Sequence, residues 1–213
     1  MKLHSYWQST TSYRVRAAMN LKGLSYDIVA VDLLAGAQNT PEFLAHNPSA
    51  GVPTLELDDG TVLVQSLAII EYLNAIWPEP RLIPRDPLER ARAMAIAYTV
   101  ALDIHPVNNL RVMAQLESRF NTRPDQCQAW MIHWMCQGFA TIEQMVSDTT
   151  EFAGGAAPNI ADLCIVAQIY NAQRWGVDMA PFPKITRIAE NCLAWPQIVA
   201  AHPHKQQDAK GAK

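Results

Sequence analysis

Nothing in this 213-residue chain supplies a disulfide framework, a zinc knuckle, a membrane span or a nucleic-acid-binding charge. Its four cysteines, at 127, 136, 164 and 192, form no CxxC pair and no metal spacing, and three of them fall inside apolar helical patterns. They read as buried free thiols of a reducing compartment, and no metal is expected. The longest apolar runs fall well short of the ~20 residues that cross a bilayer, so no membrane association is expected. The opening MKLHSYW lacks the apolar core and cleavage site of a secretory signal, and together with the thiols this makes a cytoplasmic location the expectation. A net charge of -3 argues against nucleic acid as a partner. There are no internal repeats, and no convincing strand pattern after residue 78.

What is present divides the chain in two. Nearly half the residues are hydrophobic, enough for a real core. Lys2 to Trp7 alternates as a first strand, and the polar loop Gln8 to Ser12 offers several N-caps. Val15, Ala18 and Met19 then recur at helical spacing until Gly23. Tyr26 to Val31 reads as a second strand, parallel to the first across that helix. Thr40-Pro41 opens a short helix that Asn47-Pro48 closes. Residues 1–77 thus read βαβαββα. Pro78, Pro80, Pro84 and Pro87 form a stiff linker. Beyond it the pattern is helical, with helices from Leu88 to the break at His105-Pro106, from about Asp125 to Val146, from a capping box at Asn159 to Gly176, and after Pro183. The tail from His202 is polar and expected to be disordered. The domains are expected at 1–80 and 88–205.

The stretch GVPTLELDDGTVLVQS, Gly51 to Ser66, organises the first half. Thr54 to Leu57 and Val62 to Val64 form a hairpin around Asp58-Asp59-Gly60, and Gln65-Ser66 starts a helix. The residue before a cis proline at a strand entrance keeps its N–H and C=O available to a bound peptide. Ser66, at a helix N-terminus, suits a carboxylate. An extended-peptide site beside an anion site fits a small peptide ligand, the alternative being an ordinary hairpin and helix cap.

These features together resemble the glutathione S-transferase superfamily, with a thioredoxin-like α/β N-terminal domain and an all-α C-terminal domain. Ser9-Thr10-Thr11-Ser12-Tyr13-Arg14-Val15-Arg16 resembles the signature of its zeta class, and Asn47-Pro48, Val52-Pro53-Thr54-Leu55, Gln65 to Leu73, Arg81 to Pro84 and Ala161 to Cys164 match in order and spacing. Asp103-Ile104-His105-Pro106-Val107-Asn108-Asn109 is similar to a sequence of its maleylpyruvate isomerase branch. The resemblance covers about residues 1–203 and implies a glutathione-dependent cis–trans isomerase of a maleyl diacid in aromatic catabolism, acting as a homodimer. A thiolate that adds to the alkene and later leaves supplies the temporary single bond such a reaction needs. Broader transferase activity, such as α-haloacid dehalogenation, and a non-catalytic ligand-binding role stand as alternatives.

By position, the resemblance makes Ser9 the thiolate-stabilising residue, with Thr10 and Thr11 replacing the class's second serine and its frequent cysteine. Gln65 and Ser66 would hold the γ-glutamyl end of glutathione, Val52 its cysteinyl backbone and Gln38 the remaining end. His105, Asn109 and Arg111 would reach the same ligand, while Arg174 would receive the carboxylate of a small acidic substrate, assisted by Arg111. Gln8 stands where the class commonly has arginine and removes one cationic partner of a dianion. Arg16 reads as structural.

Overall fold

The first strand, β1 (Lys2–Ser5), buries Leu3, His4 and Ser5 and lies inside a four-stranded sheet. The structure is a computed structural model, and it describes residues 1–211. Helix α1 (Thr10–Leu21) carries the chain to β2 (Asp27–Ala30), which runs parallel to β1 with Lys2 opposite Asp27. After the short helix α2 (Pro41–His46), β3 (Thr54–Glu56) pairs antiparallel with β1 and with β4 (Val62–Val64), giving the order β2-β1-β3-β4. Helix α3 (Ser66–Ile76) completes the βαβαββα order expected of 1–77. Val15 and Met19 of α1, Ile69, Ile70 and Leu73 of α3, and Leu3 and Leu55 of the sheet are fully buried, the core that both apolar stripes were spaced to make. Thr40 caps α2 with Pro41 at its first position, as read. The proline-rich linker is pinned by side chains: Asn74 accepts the N–H groups of Leu82 and Ile83, and the Lys22 ammonium donates to the carbonyls of Trp77 and Pro80.

Two compact units result, one of residues 1–83 together with the chain from Leu193 on, the other of 84–192. The helical unit ends at Cys192, short of the residue 205 that the sequence assigns to it. The returning stretch contains a helix that periodicity did not reveal, α9 (Pro196–Ala201), after α8 (Pro183–Leu193). Tyr13 and Arg16 of α1 donate to the carbonyls of Ile198 and Ala201, respectively. The tail expected to be disordered forms single turns at Pro203–Lys205 and Gln207–Gly211, and the Asp208 carboxylate accepts the Trp7 N–H at 2.9 Å. Gln206 donates to the carbonyls of Ala200 and His202. Ala212 and Lys213, also included in that expectation, lie outside the described residues.

The second unit begins with α4 (Pro87–Tyr98), capped by Asp86. Pro106 has no N–H to continue the helix, and the chain widens into π turns over Thr99–Ile104, where the His105 N–H reaches back five residues to the Val100 carbonyl. Then follow α5 (Leu110–Phe120), absent from the sequence reading, α6 (Pro124–Met145) and α7 (Ile160–Trp175). Helix α7 is buried on every side from Ile160 to Ala172, as its all-round apolar pattern requires. Its start is a capping box: Asn159 accepts from the Ala161 N–H, and Asp162 accepts from the N–H groups of Asn159 and Ala153 at 2.8 and 2.7 Å. Gly138 of α6 meets the π turns so closely that a Cβ there would lie 2.2 Å from Ile104 Cγ1.

Candidate active site

The loop from Tyr6 to Ser9 is built from behind. The fully buried Arg16 guanidinium donates to Ser5 Oγ at 2.8 Å and to the carbonyls of Tyr6 and Trp7, while Asp208 takes the Trp7 N–H. A buried guanidinium that donates to several carbonyls of this loop fixes its backbone from behind. Arg16 is thus structural, as its sequence context suggested. Ser9 then caps α1, its Oγ accepting the Ser12 N–H at 3.1 Å. Thr10 is buried, whereas Ser9 and Thr11 are half-buried.

Ser9, Thr11 and Val52 form one hydrogen-bonded row. Ser9 Oγ lies 2.8 Å from Thr11 Oγ1, and the Thr11 hydroxyl donates to the Val52 carbonyl at 2.8 Å. The Val52-Pro53 peptide is cis. Asn47 steadies the loop that presents Val52, donating to the Gly51 carbonyl and to Thr54 Oγ1. Among the described residues the Val52 N–H has no acceptor, so this backbone edge offers a donor to an extended peptide.

At the N-terminus of α3, Gln65 is exposed and has a φ of 70°, a conformation that non-glycine residues seldom adopt away from functional sites. The buried Ser66 Oγ accepts from Arg14 Nη1 at 3.3 Å. A buried guanidinium behind a helix N-terminus makes this corner attractive to a carboxylate. Arg14 is not among the site residues expected from the sequence, where its place in the signature is the one available signal. Gln38 donates to the Leu33 carbonyl, and its buried Oε1 has no partner among the described residues. Gln8 is half-buried between Trp7 and Ser9.

The remaining expected residues belong to the helical unit. His105 is half-buried where the π turns end, and Asn109 caps α5, its Oδ1 accepting the Arg111 N–H at 3.2 Å. Arg111 is exposed. Arg174, also exposed, donates to Asn171 Oδ1 at 3.3 Å and lies over the Tyr170 ring, 5.8 Å from its centroid. Asn171 and Tyr170, one helical turn back, hold that guanidinium and were not foreseen. Burial pushes the thiols of Cys127, Cys136 and Cys192 up from their ordinary range, so these cysteines provide no thiolate near neutrality. Among the described residues no three His, Cys, Asp or Glu side chains converge as a metal site, and no helix is long and apolar enough to cross a membrane.

Residues 8–76 match the family model of the glutathione S-transferase N-terminal domain. Over 214 aligned residues the chain is 42% identical to the maleylacetoacetate isomerase of Pseudomonas aeruginosa, covering 100% of both chains. A holo structure of maleylpyruvate isomerase, a bacterial zeta-class glutathione S-transferase, superposes with a TM-score of 0.95 at 37% identity, covering 98% of this chain and 99% of that one. The maleylacetoacetate isomerase of Methylobacterium extorquens AM1, solved with malonate and glutathione bound, matches with a TM-score of 0.91 at 38% identity, covering 97% of this chain and 98% of that one. With this likeness along its whole length, and with a hydroxyl row, a free backbone edge and an anion corner in its first unit, the chain belongs to the zeta class of the glutathione S-transferases.

Proposed function

We propose that the protein is a glutathione-dependent cis–trans isomerase that converts maleylacetoacetate to its fumaryl isomer, with maleylpyruvate as the neighbouring substrate. The observation that carries this reading is the row Ser9–Thr11–Val52, which sets hydroxyls at a helix N-terminus beside a backbone edge suited to a tripeptide thiol. The cofactor fits the residues present: among the described residues the Val52 N–H and the Gln38 Oε1 are unsatisfied groups of opposite kind, and Ser66 with Arg14 suits a terminal carboxylate. Bound glutathione supplies a thiolate that adds to the alkene carbon and leaves after rotation about the resulting single bond.

The protein's own residues have three tasks. Ser9 donates a hydrogen bond that holds the sulfur ionised near neutrality, against an ordinary thiol pKa of ~8.5. Val52, Gln38, Gln65 and Ser66 orient the tripeptide. Arg174, steadied by Tyr170 and Asn171, receives a substrate carboxylate with Arg111, while His105 and Asn109 complete the cofactor's surroundings. Thr10 supports the same helix end. The neutral Gln8 leaves the diacid dependent on the arginines. Four free cysteines and the use of glutathione support a cytoplasmic setting. A stripe of exposed apolar residues on α4, Leu88, Ala91, Ala95 and Tyr98, supports assembly as a homodimer.

The test follows the ultraviolet absorbance of maleylacetoacetate and maleylpyruvate with purified protein and a catalytic amount of glutathione. Turnover far beyond the glutathione added is the expected result, and the faster substrate identifies the branch. A stoichiometric loss of thiol, or a glutathione conjugate as product, would establish the transferase reading instead.

A further inference from the structure

The hydrogen bonds of the hydroxyl row have a determinable direction. A carbonyl oxygen only accepts, so the 2.8 Å contact between Thr11 Oγ1 and the Val52 carbonyl consumes the single Thr11 proton. Thr11 therefore has nothing to give Ser9, and in the 2.8 Å contact between the two hydroxyls Ser9 is the donor. One Ser9 lone pair already accepts the Ser12 N–H. In this order Ser9 turns its proton toward Thr11 and offers an approaching sulfur only a lone pair, which favours a thiol over a thiolate.

We propose that Thr11 is a positioning residue that couples the docking of a peptide backbone on Val52 to the direction in which Ser9 points its proton. This inference rests on the glutathione reading above. A peptide N–H arriving at the Val52 carbonyl competes with Thr11 for that oxygen's electron density, which weakens the Thr11 hydrogen bond and lets its proton turn away. Thr11 then rotates to donate to Ser9 Oγ, and Ser9 rotates to donate outward. The 2.8 Å separation is kept with its direction reversed. Ser9 Oγ in the new order accepts from Ser12 N–H and Thr11, filling both lone pairs, and its own proton faces the sulfur. No covalent bond breaks and no net proton moves. The reversed row is polarised toward the anion, and a hydrogen bond to a charged acceptor is stronger than the neutral one it replaces. A thiol that lacks the peptide N–H leaves the row in its resting order, so the device favours ionisation of a correctly seated tripeptide.

The test is the thiolate absorbance of protein-bound glutathione titrated against pH, compared with an analogue methylated on its cysteinyl amide nitrogen. With the parent protein, the analogue's thiol pKa is expected about one unit above that of glutathione, a tenfold smaller thiolate-to-thiol ratio. In Thr11→Val the two peptides titrate together at the higher value, and Thr11→Ser restores the gap. A gap that persists in Thr11→Val, or no gap in the parent, overturns the coupling. If the methylated peptide does not bind, glutathione alone decides: an upward shift of about one unit in Thr11→Val supports the coupling, and an unchanged pKa overturns it. Failure of the parent protein to bind glutathione at all would overturn the underlying functional reading, an outcome distinct from a lowered pKa indifferent to Thr11.

Discussion

Two side chains show how local chemistry is set by burial and hydrogen bonding. Ser9 is at once a helix cap and a member of the hydroxyl row, so replacing it removes two functions. Ser9→Ala is expected to raise the pKa of bound glutathione and lower turnover at neutral pH, with the activity profile displaced to higher pH. The lost cap costs about 1 kcal/mol of stability. A pH profile superposing on that of the parent would move the thiolate role to another group. Asp162 provides the contrasting case. Burial pushes its carboxyl up to about 6, although the Ala153 and Asn159 N–H groups favour the charged form. A group that holds its proton more tightly in the fold than in the unfolded chain contributes stability below pH ~4 that is lost as pH rises to ~6. From a shift of about two units the loss is about 3 kcal/mol. Urea unfolding at pH 4 and pH 7 should therefore show the parent losing about that much relative to Asp162→Asn. A difference that does not change with pH would mean that the two N–H donors offset the cost of burying the charge.

Elements whose signals are local were legible in the sequence, and those that depend on distant partners were not. The first-unit strands and helices, the Asn159 capping box and the end of α7 at Gly176 follow from alternation, helical spacing and cap chemistry. Helix α5 is the exception: Val112, Met113, Leu116 and Phe120 recur at spacings of three and four, a local signal the sequence reading passes over, and its cap Asn109 reads there as a ligand residue. Helix α9 has six residues, too few for a repeat, and the tail after it looked disordered because the Asp208–Trp7 contact joins residues 201 positions apart. In the site, signature positions located Ser9, Thr11 and Val52, but no spacing could disclose the direction of their hydrogen bonds. Likewise, Gly138 was unremarkable until α6 met the π turns. Gly138→Ala would force its Cβ against Ile104, and since overpacking of this kind costs about 1–3 kcal/mol, a lower melting temperature is expected. The strain falls one residue before His105. Hydrogen exchange at residues 104–109 should accelerate in the variant, whereas an unchanged melting temperature would show that the Ile104 side chain yields at no cost.

At the scale of the whole molecule, α4 carries apolar residues on two faces, and among the described residues only one of them is covered. Ala93, Met94, Ile96 and Ala97 are buried, while Leu88, Ala91, Ala95 and Tyr98 recur at spacings of three and four on the other side and are exposed. Leu102, in the π turns that follow, is 63% exposed. A surface helix of an isolated chain normally turns charged residues outward. An apolar outer stripe is what an interface between identical copies requires, and around a two-fold axis each residue of the stripe meets its own counterpart or a neighbour of it. One helix cannot bury the ~800 Å² per partner of a stable interface, so this stripe would form only the centre of a wider contact. It is nevertheless where a charge is most damaging, because each substitution appears twice across the axis. The double variant Tyr98→Glu, Leu102→Glu would bring four carboxylates together on association. Sedimentation should give twice the chain mass for the parent and the single chain mass for the variant. A monomeric parent with full isomerase activity would overturn the homodimer reading while leaving the first-unit site intact, since all of its hydrogen-bonded row comes from one chain.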